Sequence, residues 1–203
     1  IFQLLFASQT QAGQNQSSAA LLDAQDIKET LDGDNKSYKR LIERHQKQIS
    51  AMMWRFSRDA NIHEELVQDV FIEVYMSLPT FKYKAPFTHW LNRIATRVGY
   101  RYWKQKARQK TASVVSLQDW DQPVADNPDE LSSDKAAYML HEMLQQLPPR
   151  DRLVLTLRYL EQKSVSETAD LTGWSVSMVK VQTWRAKTKL KNLYEKNNIE
   201  AGV

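Results

Sequence analysis

Ser164-Val165-Ser166-Glu167-Thr168-Ala169-Asp170-Leu171-Thr172-Gly173-Trp174-Ser175-Val176-Ser177-Met178-Val179-Lys180-Val181-Gln182-Thr183-Trp184-Arg185 reads as a short helix, a turn and the start of a longer helix. Ser164 can cap the first helix and Glu167, three residues on, can complete a capping box. Ala169 is small where two helices must approach, and Gly173 sits in the turn. Capping, turn and spacing together give the anatomy of a helix-turn-helix, with a second helix from about Val176 to Tyr194. An ordinary helical hairpin is the plainer alternative. On the second helix Met178, Val179, Ala186, Leu190 and Leu193 can face inward. Ser177, Lys180, Val181, Gln182, Trp184, Arg185 and Lys187 supply the remaining surface. The DNA major groove admits one α-helix, whose N-terminal part meets base edges. Gln182 can pair with adenine, Lys180 with guanine or phosphate, and Val181 or the Trp184 edge can touch a thymine methyl. Arg185 and Lys187 suit phosphate, which positions without specifying.

Outward from this segment every periodic stretch reads as helix, so the expected fold class is all-α. Tyr138, Met139, Met143, Leu144 and Leu147 mark a helix ended by Pro148-Pro149, and Leu153, Val154, Leu157 and Leu160 mark the next. Upstream, Tyr38, Leu41, Ile42, His45, Ile49, Met52, Met53 and Phe56 form one apolar stripe. Leu66, Val67, Val70, Phe71, Val74, Tyr75 and Leu78 form a second, and Phe87, Trp90, Leu91, Ile94, Ala95, Val98 and Tyr102 a third. Two small helical domains are expected: a three- to four-helix bundle over 24–108 and a helix-turn-helix domain over 134–198. A flexible acidic linker over 109–133 joins them, and residues 1–23 are expected to be a disordered extension.

Charge follows the same division. Residues 82–110 carry nine bases (Lys82, Lys84, Arg93, Arg97, Arg101, Lys104, Lys106, Arg108, Lys110) and no acid. Residues 119–134 carry six acids and no base, and residues 177–196 carry six bases against Glu195. Any single block could be a solvated helix face. Two basic blocks on helical patterns, each with aromatics, suit a polyanion bound at two places. Arg93, Arg97, Arg101 and Lys104 share one stripe, with Tyr100, Tyr102 and Trp103 among them. Flat rings beside cations suit unpaired bases, because every base offers a π face. The loop ahead of that helix adds Lys82 and Lys84 around Tyr83.

The 203 residues include no cysteine, which excludes disulfide scaffolds, thiolate metal sites and cysteine nucleophiles. Five Gly and six Pro are too few for a turn-rich sandwich or barrel. No apolar run approaches the roughly 20 residues that span a bilayer. The opening Ile1-Phe2-Gln3-Leu4-Leu5-Phe6-Ala7 has no basic residue before it and does not read as a secretory signal. The expected location is the cytoplasm, with no membrane insertion.

The residues His63-Glu64-Glu65-Leu66-Val67-Gln68-Asp69-Val70-Phe71-Ile72-Glu73-Val74-Tyr75, then Phe81, Phe87 and Trp90-Leu91-Asn92-Arg93-Ile94-Ala95, bring a family into view. With Leu147-Pro148, Leu157-Arg158 and Glu167-Thr168-Ala169 further on, the chain resembles an extracytoplasmic-function (ECF) sigma factor of the sigma-70 family over about residues 24–198. The resemblance implies promoter recognition on RNA polymerase and no cofactor. Its first domain would bind the polymerase clamp through Leu66, Gln68, Asp69, Phe71 and Glu73. The same domain would read and open the −10 element through the Phe81–Phe87 loop with Lys82, Tyr83 and Lys84, and through Arg97, Tyr100 and Arg101. Arg93, Trp103 and Lys104, from the stripe above, join that set. The second domain would bind the −35 element through Ser177, Lys180, Val181, Gln182, Trp184, Arg185 and Lys187 and would touch the polymerase flap. An anti-sigma factor is a further partner class that the resemblance brings in.

The chain departs from the pattern in three places. Arg97 stands where many members have an Asn that helps hold a flipped base, and an Arg plane can instead stack or hold phosphate. Gly99 falls mid-helix, at about 1 kcal/mol relative to Ala. Thr168 replaces a common Ile.

Two rivals compete with this reading. An autonomous dimeric helix-turn-helix regulator leaves the first bundle unexplained. A metal-dependent helical-bundle enzyme could use Glu65, Asp69 and Glu73 on one helix face, yet no Glu-x-x-His partner helix is apparent and His45, His63, His89 and His141 lack ligand spacing. No phosphate-cradling glycine loop and no Ser-centred nucleophile motif is present, so no catalytic residue is assigned.

Overall fold

The computed structural model describes residues 18–112 and 140–200, and every regular element among them is helical. In chain order these are α1 (18–31), α2 (Asn35–Met53), α3 (Ala60–Ser77), a 3₁₀ turn (Leu78–Thr80) and α4 (Phe87–Ala112). After the segment outside the described residues come α5 (140–146), α6 (Pro149–Leu155), a π-helical turn (Thr156–Leu160), α7 (Val165–Thr172) and α8 (Val176–Glu200). The chain forms two compact units, one ending at Val98 and the other beginning at Gly99, inside α4. This division falls earlier than the expected 109–133. Residues 109–112 continue α4, and the rest of the expected linker lies outside the described residues.

In the first unit, Asp34 caps α2 by accepting from the Lys36 amide, and Asp59 caps α3 by accepting from Asn61 and Ile62. Leu41, Ile49, Met53, Val70, Val74, Leu78, Leu91 and Val98 are each at most 2% exposed and form the core. The predicted stripes supply it, though Tyr38, Ile42, Val67 and Trp90 stay half-buried at its edge and Tyr75 is exposed.

Part of the range expected to be a disordered extension, 1–23, is ordered. Residues 18–31 are helical, and Asp23 and Asp26 are buried. The reason is electrostatic. The two carboxylates lie three residues apart on one face of α1 and meet Arg40 and Arg44, four apart on α2. Arg44 bridges Asp23 at 2.6 Å and Asp26 at 2.5 Å, Arg40 Nε donates to Asp26 at 2.8 Å, and His45 Nε2 stands 2.9 Å from Asp23. Residues 1–17 lie outside the described residues.

In the second unit Leu144, Leu147, Val154, Leu155, Ala169, Val179 and Ala186 make the core, with Val165, Trp174, Leu190 and Leu193 packed on it. Pro148 and Pro149 start α6, as proline suits a helix's first positions. The helix then widens into the π turn, which ends at Leu160 with Glu161 as its cap, and Gln162 just beyond has left-handed backbone (φ +52°).

Candidate nucleic-acid interface

The helix-turn-helix closes as its residues require. Ser164 Oγ accepts from the Glu167 amide at 3.1 Å, and Glu167 Oε2 accepts from the Ser164 amide at 2.8 Å. Gly173 ends α7 at φ +73°, a conformation that costs glycine nothing, and its N–H reaches the Ala169 carbonyl at 2.8 Å. Ser175 starts α8 by accepting from the Met178 amide at 3.2 Å. Thr168 is fully buried, and its hydroxyl donates to the Ser164 carbonyl at 2.8 Å. The polar atom placed where an Ile is common is therefore satisfied.

Val179 and Ala186 face the core with no exposure, while Ser177, Lys180, Val181, Trp184, Arg185 and Lys187 are exposed on α8. Trp184 is 69% exposed, an indole turned outward among cations. Lys187 Nζ lies 5.3 Å over the Tyr159 ring. A shallow cavity of about 290 Å³ opens on this face, lined by Arg150, Ser177, Met178, Val181, Gln182 and Arg185. Arg150 was not among the residues expected here. It comes from the first turn of α6, stands 4.9 Å over the Trp174 ring, and adds a cation beside the N-terminal part of α8. Gln182 differs from its neighbours. It is half-buried, and its amide donates to the carboxylate of Asp151, which also takes Lys189 Nζ at 2.6 Å.

In the first unit the Phe81–Phe87 loop rests on rings. Phe81 lies 4.8 Å from Tyr83, 5.7 Å from Phe87 and 5.2 Å from Trp90, and buried Phe87 meets His45 edge-on at 5.3 Å. Tyr83 stands at the tip with left-handed backbone (φ +55°), exposed between exposed Lys82 and Lys84. On α4, Arg93 and Arg97 face solvent, and Arg97 Nε donates to Glu73 Oε1 at 2.8 Å. A residue expected at DNA is thus paired with one expected at polymerase.

The remaining expected residues lie on the part of α4 that belongs to the second unit. Arg101 and Lys104 are exposed there. Tyr100 is half-buried, with Lys104 Nζ 5.7 Å over its ring, and burial raises its phenol pKa. Trp103 is only 4% exposed, and the Arg152 guanidinium covers its ring at 3.9 Å, so the indole is not presented for stacking. The helical phase that puts Arg101 and Lys104 outside turns Trp103 inward.

On α3, Leu66 and Phe71 are buried, whereas Gln68 and Asp69 are exposed. The outer face also holds Ile72 at 61% and Met76 at 74% exposure, neither of them expected. The signal was present: Leu66, Val70 and Val74 fix the inner phase at steps of four, which throws Ile72 and Met76 opposite. Glu65, Asp69 and Glu73 do not form a ligand set. Among the described residues no group of three or more His, Asp or Glu could hold a metal ion, and no helix is long and apolar enough to cross a membrane.

Comparison with known proteins follows the same two units. The family model of sigma-70 region 2 matches residues 41–109, and that of sigma-70 region 4 matches residues 137–190. The RNA polymerase sigma-H factor of Pseudomonas aeruginosa is 28% identical over 173 residues, 81% of this chain and 90% of the relative. The ECF RNA polymerase sigma-E factor of Escherichia coli K12 is 25% identical over 183 residues, 86% of this chain and 95% of the relative. Among solved structures, CnrH in complex with the cytosolic domain of CnrY aligns with a TM-score of 0.55 at 21% identity, covering 87% of this chain and 97% of that one. RpoE of Bartonella quintana, in complex with the anti-sigma factor NepR, aligns at 0.50 and 19% identity over 79% and 98% of the two chains.

Proposed function

Because this chain belongs to the sigma-70 family, in its extracytoplasmic-function class, we propose that it directs RNA polymerase core to promoters with α8 as the −35 reader and the Phe81–Phe87 loop with α4 as the −10 reader. The observation that carries the assignment is the pairing of two sigma regions in order with an exposed, cationic and aromatic face on α8. The presence of region 2 sets aside an autonomous helix-turn-helix regulator, since the first unit then has a task.

Lys180, Val181 and Trp184, with Ser177, lie where a major-groove helix meets base edges, and Arg150, Arg185 and Lys187 flank them for phosphate. Lys82, Lys84, Arg93, Arg97, Arg101 and Lys104 neutralise backbone, and Tyr83 supplies the ring for an unpaired base. Trp103 supports this surface from within. The outward face of α3, Gln68 and Asp69 with Ile72 and Met76, meets the polymerase clamp. An apolar pair set among polar groups is the composition of an interface core.

No step in this function needs a catalytic group. Opening requires only binding that favours parted strands over duplex, and extruding a base costs a few kcal/mol that a fitted site offsets. Two modest readers on one chain raise each other's effective concentration, so promoter spacing becomes part of recognition. The site of action is the cytoplasm, where core polymerase and promoter DNA are. An anti-sigma factor, the partner seen with the Bartonella protein, is assigned as a regulator of this chain as well.

In vitro transcription with core polymerase over a genomic promoter library tests the proposal. Initiation at new sites that share −10 and −35 elements supports it, and unchanged initiation refutes it.

A further inference from the structure

Among the described residues of the second unit Asp151 is the most deeply buried charged group, at 1% exposure, and the proposed function makes no use of it. A carboxylate removed from water needs charged or hydrogen-bonding partners to persist. Both of the partners described for it come from α8: the Gln182 amide on one oxygen and Lys189 Nζ, 2.6 Å away, on the other. Gln182 and Lys189 are seven residues apart, two helical turns on one face. Between them lies Ala186, fully buried, where α8 runs against the core. Asp151 itself is fixed by the α6 start at Pro148 and Pro149.

We propose that Asp151 is a positioning residue for promoter recognition: it sets the roll of α8 about its own axis, with Gln182 and Lys189 as its two handles. Two attachment points on one face of a helix remove its freedom to rotate, where one would leave a pivot. Rotation matters because a helix with its side chains is about 10–12 Å across, so a 20° roll carries side-chain tips about 2 Å. Recognition groups must be held within about 0.5 Å and 10–20° to work. The clasp therefore decides which of Lys180, Val181 and Trp184 meets which base. Gln182, by sequence a reader of adenine, is an internal handle instead.

This inference rests on α8 being the −35 reader, and the two claims separate in one experiment. Holoenzyme is assembled from core polymerase and the full chain, and its affinity is measured for a promoter and for variants substituted singly at each −35 position. Gln182→Glu places two carboxylates against each other, and Asp151→Asn in the same chain restores a donor–acceptor pair. The expected result for Gln182→Glu is a loss of about tenfold on the parent promoter, with discrimination shrinking at all −35 positions in parallel. The double variant should recover to within about threefold. A role in stability alone would leave discrimination by the folded protein unchanged.

Thermal unfolding is followed alongside. If Gln182→Glu unfolds the second unit, Lys189→Met decides, with a parallel loss of about threefold expected. Altered preference at a single base position, or a Gln182→Glu defect that Asp151→Asn leaves untouched, overturns the inference. Wild-type holoenzyme that ignores every −35 substitution overturns the DNA assignment of α8, and this inference with it.

Discussion

The two units place their buried charge differently. In the first, Asp23 and Asp26 meet Arg40 and Arg44 between α1 and α2, and reach the end of the Phe81–Phe87 loop indirectly, through the His45 ring that stands 2.9 Å from Asp23 and edge-on to Phe87. In the second, Asp151 grips α8, the proposed −35 reader, directly. The loop of the first unit is shaped by rings and left-handed backbone at Tyr83, and on α4 Arg97 is held by Glu73. Duplex DNA presents a regular groove, and a helix set in advance fits it. Parted strands have no fixed shape before opening, and an exposed ring with nearby cations suits them better. Under the proposed assignment the contrast is between a reader fixed by its own core and a reader carried on a supported loop.

The strongest way to test this contrast is to remove the charge from the first unit. Asp26→Ala strands parts of two guanidinium groups, and breaking a buried ion pair costs about 3–5 kcal/mol. Urea unfolding of the chain should show that loss in the transition of the first unit, with binding of −35 duplex by the holoenzyme reduced only through the fraction unfolded. Equal destabilisation of both transitions would erase the distinction.

Next in size is the reading helix. Lys180→Ala should change preference at one −35 base pair by about 1–3 kcal/mol, measured by competition among substituted promoters. This is the opposite signature to the parallel loss expected at the Asp151 clasp.

A finer comparison uses the two non-glycine residues with positive φ among the described residues, Tyr83 and Gln162. Left-handed backbone costs an L-residue about 1–2 kcal/mol. Gln162→Gly should therefore stabilise the second unit by about 1 kcal/mol without touching transcription. Tyr83→Gly relieves the same strain but loses the ring contact with Phe81, so stability should change little, while promoter opening falls by about tenfold with the lost stacking. Permanganate reactivity of −10 thymines reports the opening. If both glycines leave opening intact, Tyr83 is not the stacking ring.

The smallest effect is on pH. The Gln25 amide holds Glu29 below its ordinary 4.5, and the Ser37 hydroxyl with the Lys36 amide holds Asp34 below 3.8. The single Ser37 hydroxyl proton is shared between the two carboxylates and favours the charged form of each. A lowered carboxylate favours the folded state above its unfolded value, and the contribution is lost as pH falls through the folded value. Asp34 is exposed and Glu29 half-buried at the surface, so acidification from about pH 5 downward should lower the urea midpoint of the first unit slightly, and Ser37→Ala should flatten that dependence.

Local signals were legible in the sequence. The Ser164–Glu167 box, the Gly173 turn and the phases of α2, α3 and α8 follow from residue type and spacing, and the structure has them. Pairings across long separations were not legible. Asp23 with Arg44, Glu73 with Arg97 and Asp151 with Gln182 join residues 21, 24 and 31 apart, and no periodicity records such complementarity. That is why residues 18–23 of α1 read as part of an extension, and why Gln182 and Arg97 were assigned to DNA without their carboxylate partners. Trp103 failed for another reason: a tryptophan on a basic helix suits stacking or core equally by composition, and only packing decides.

The central claim is that this chain, mounted on core polymerase, grips duplex with α8 and parted strands with the Tyr83 loop and α4. Transcription from a promoter selected by the holoenzyme, with permanganate footprinting of the same complexes, tests it most directly. The account predicts open complexes at −10 that need core, chain and an intact −35 element together. Reactive −10 thymines that persist without the chain, or a chain that fails to join core polymerase, would contradict it.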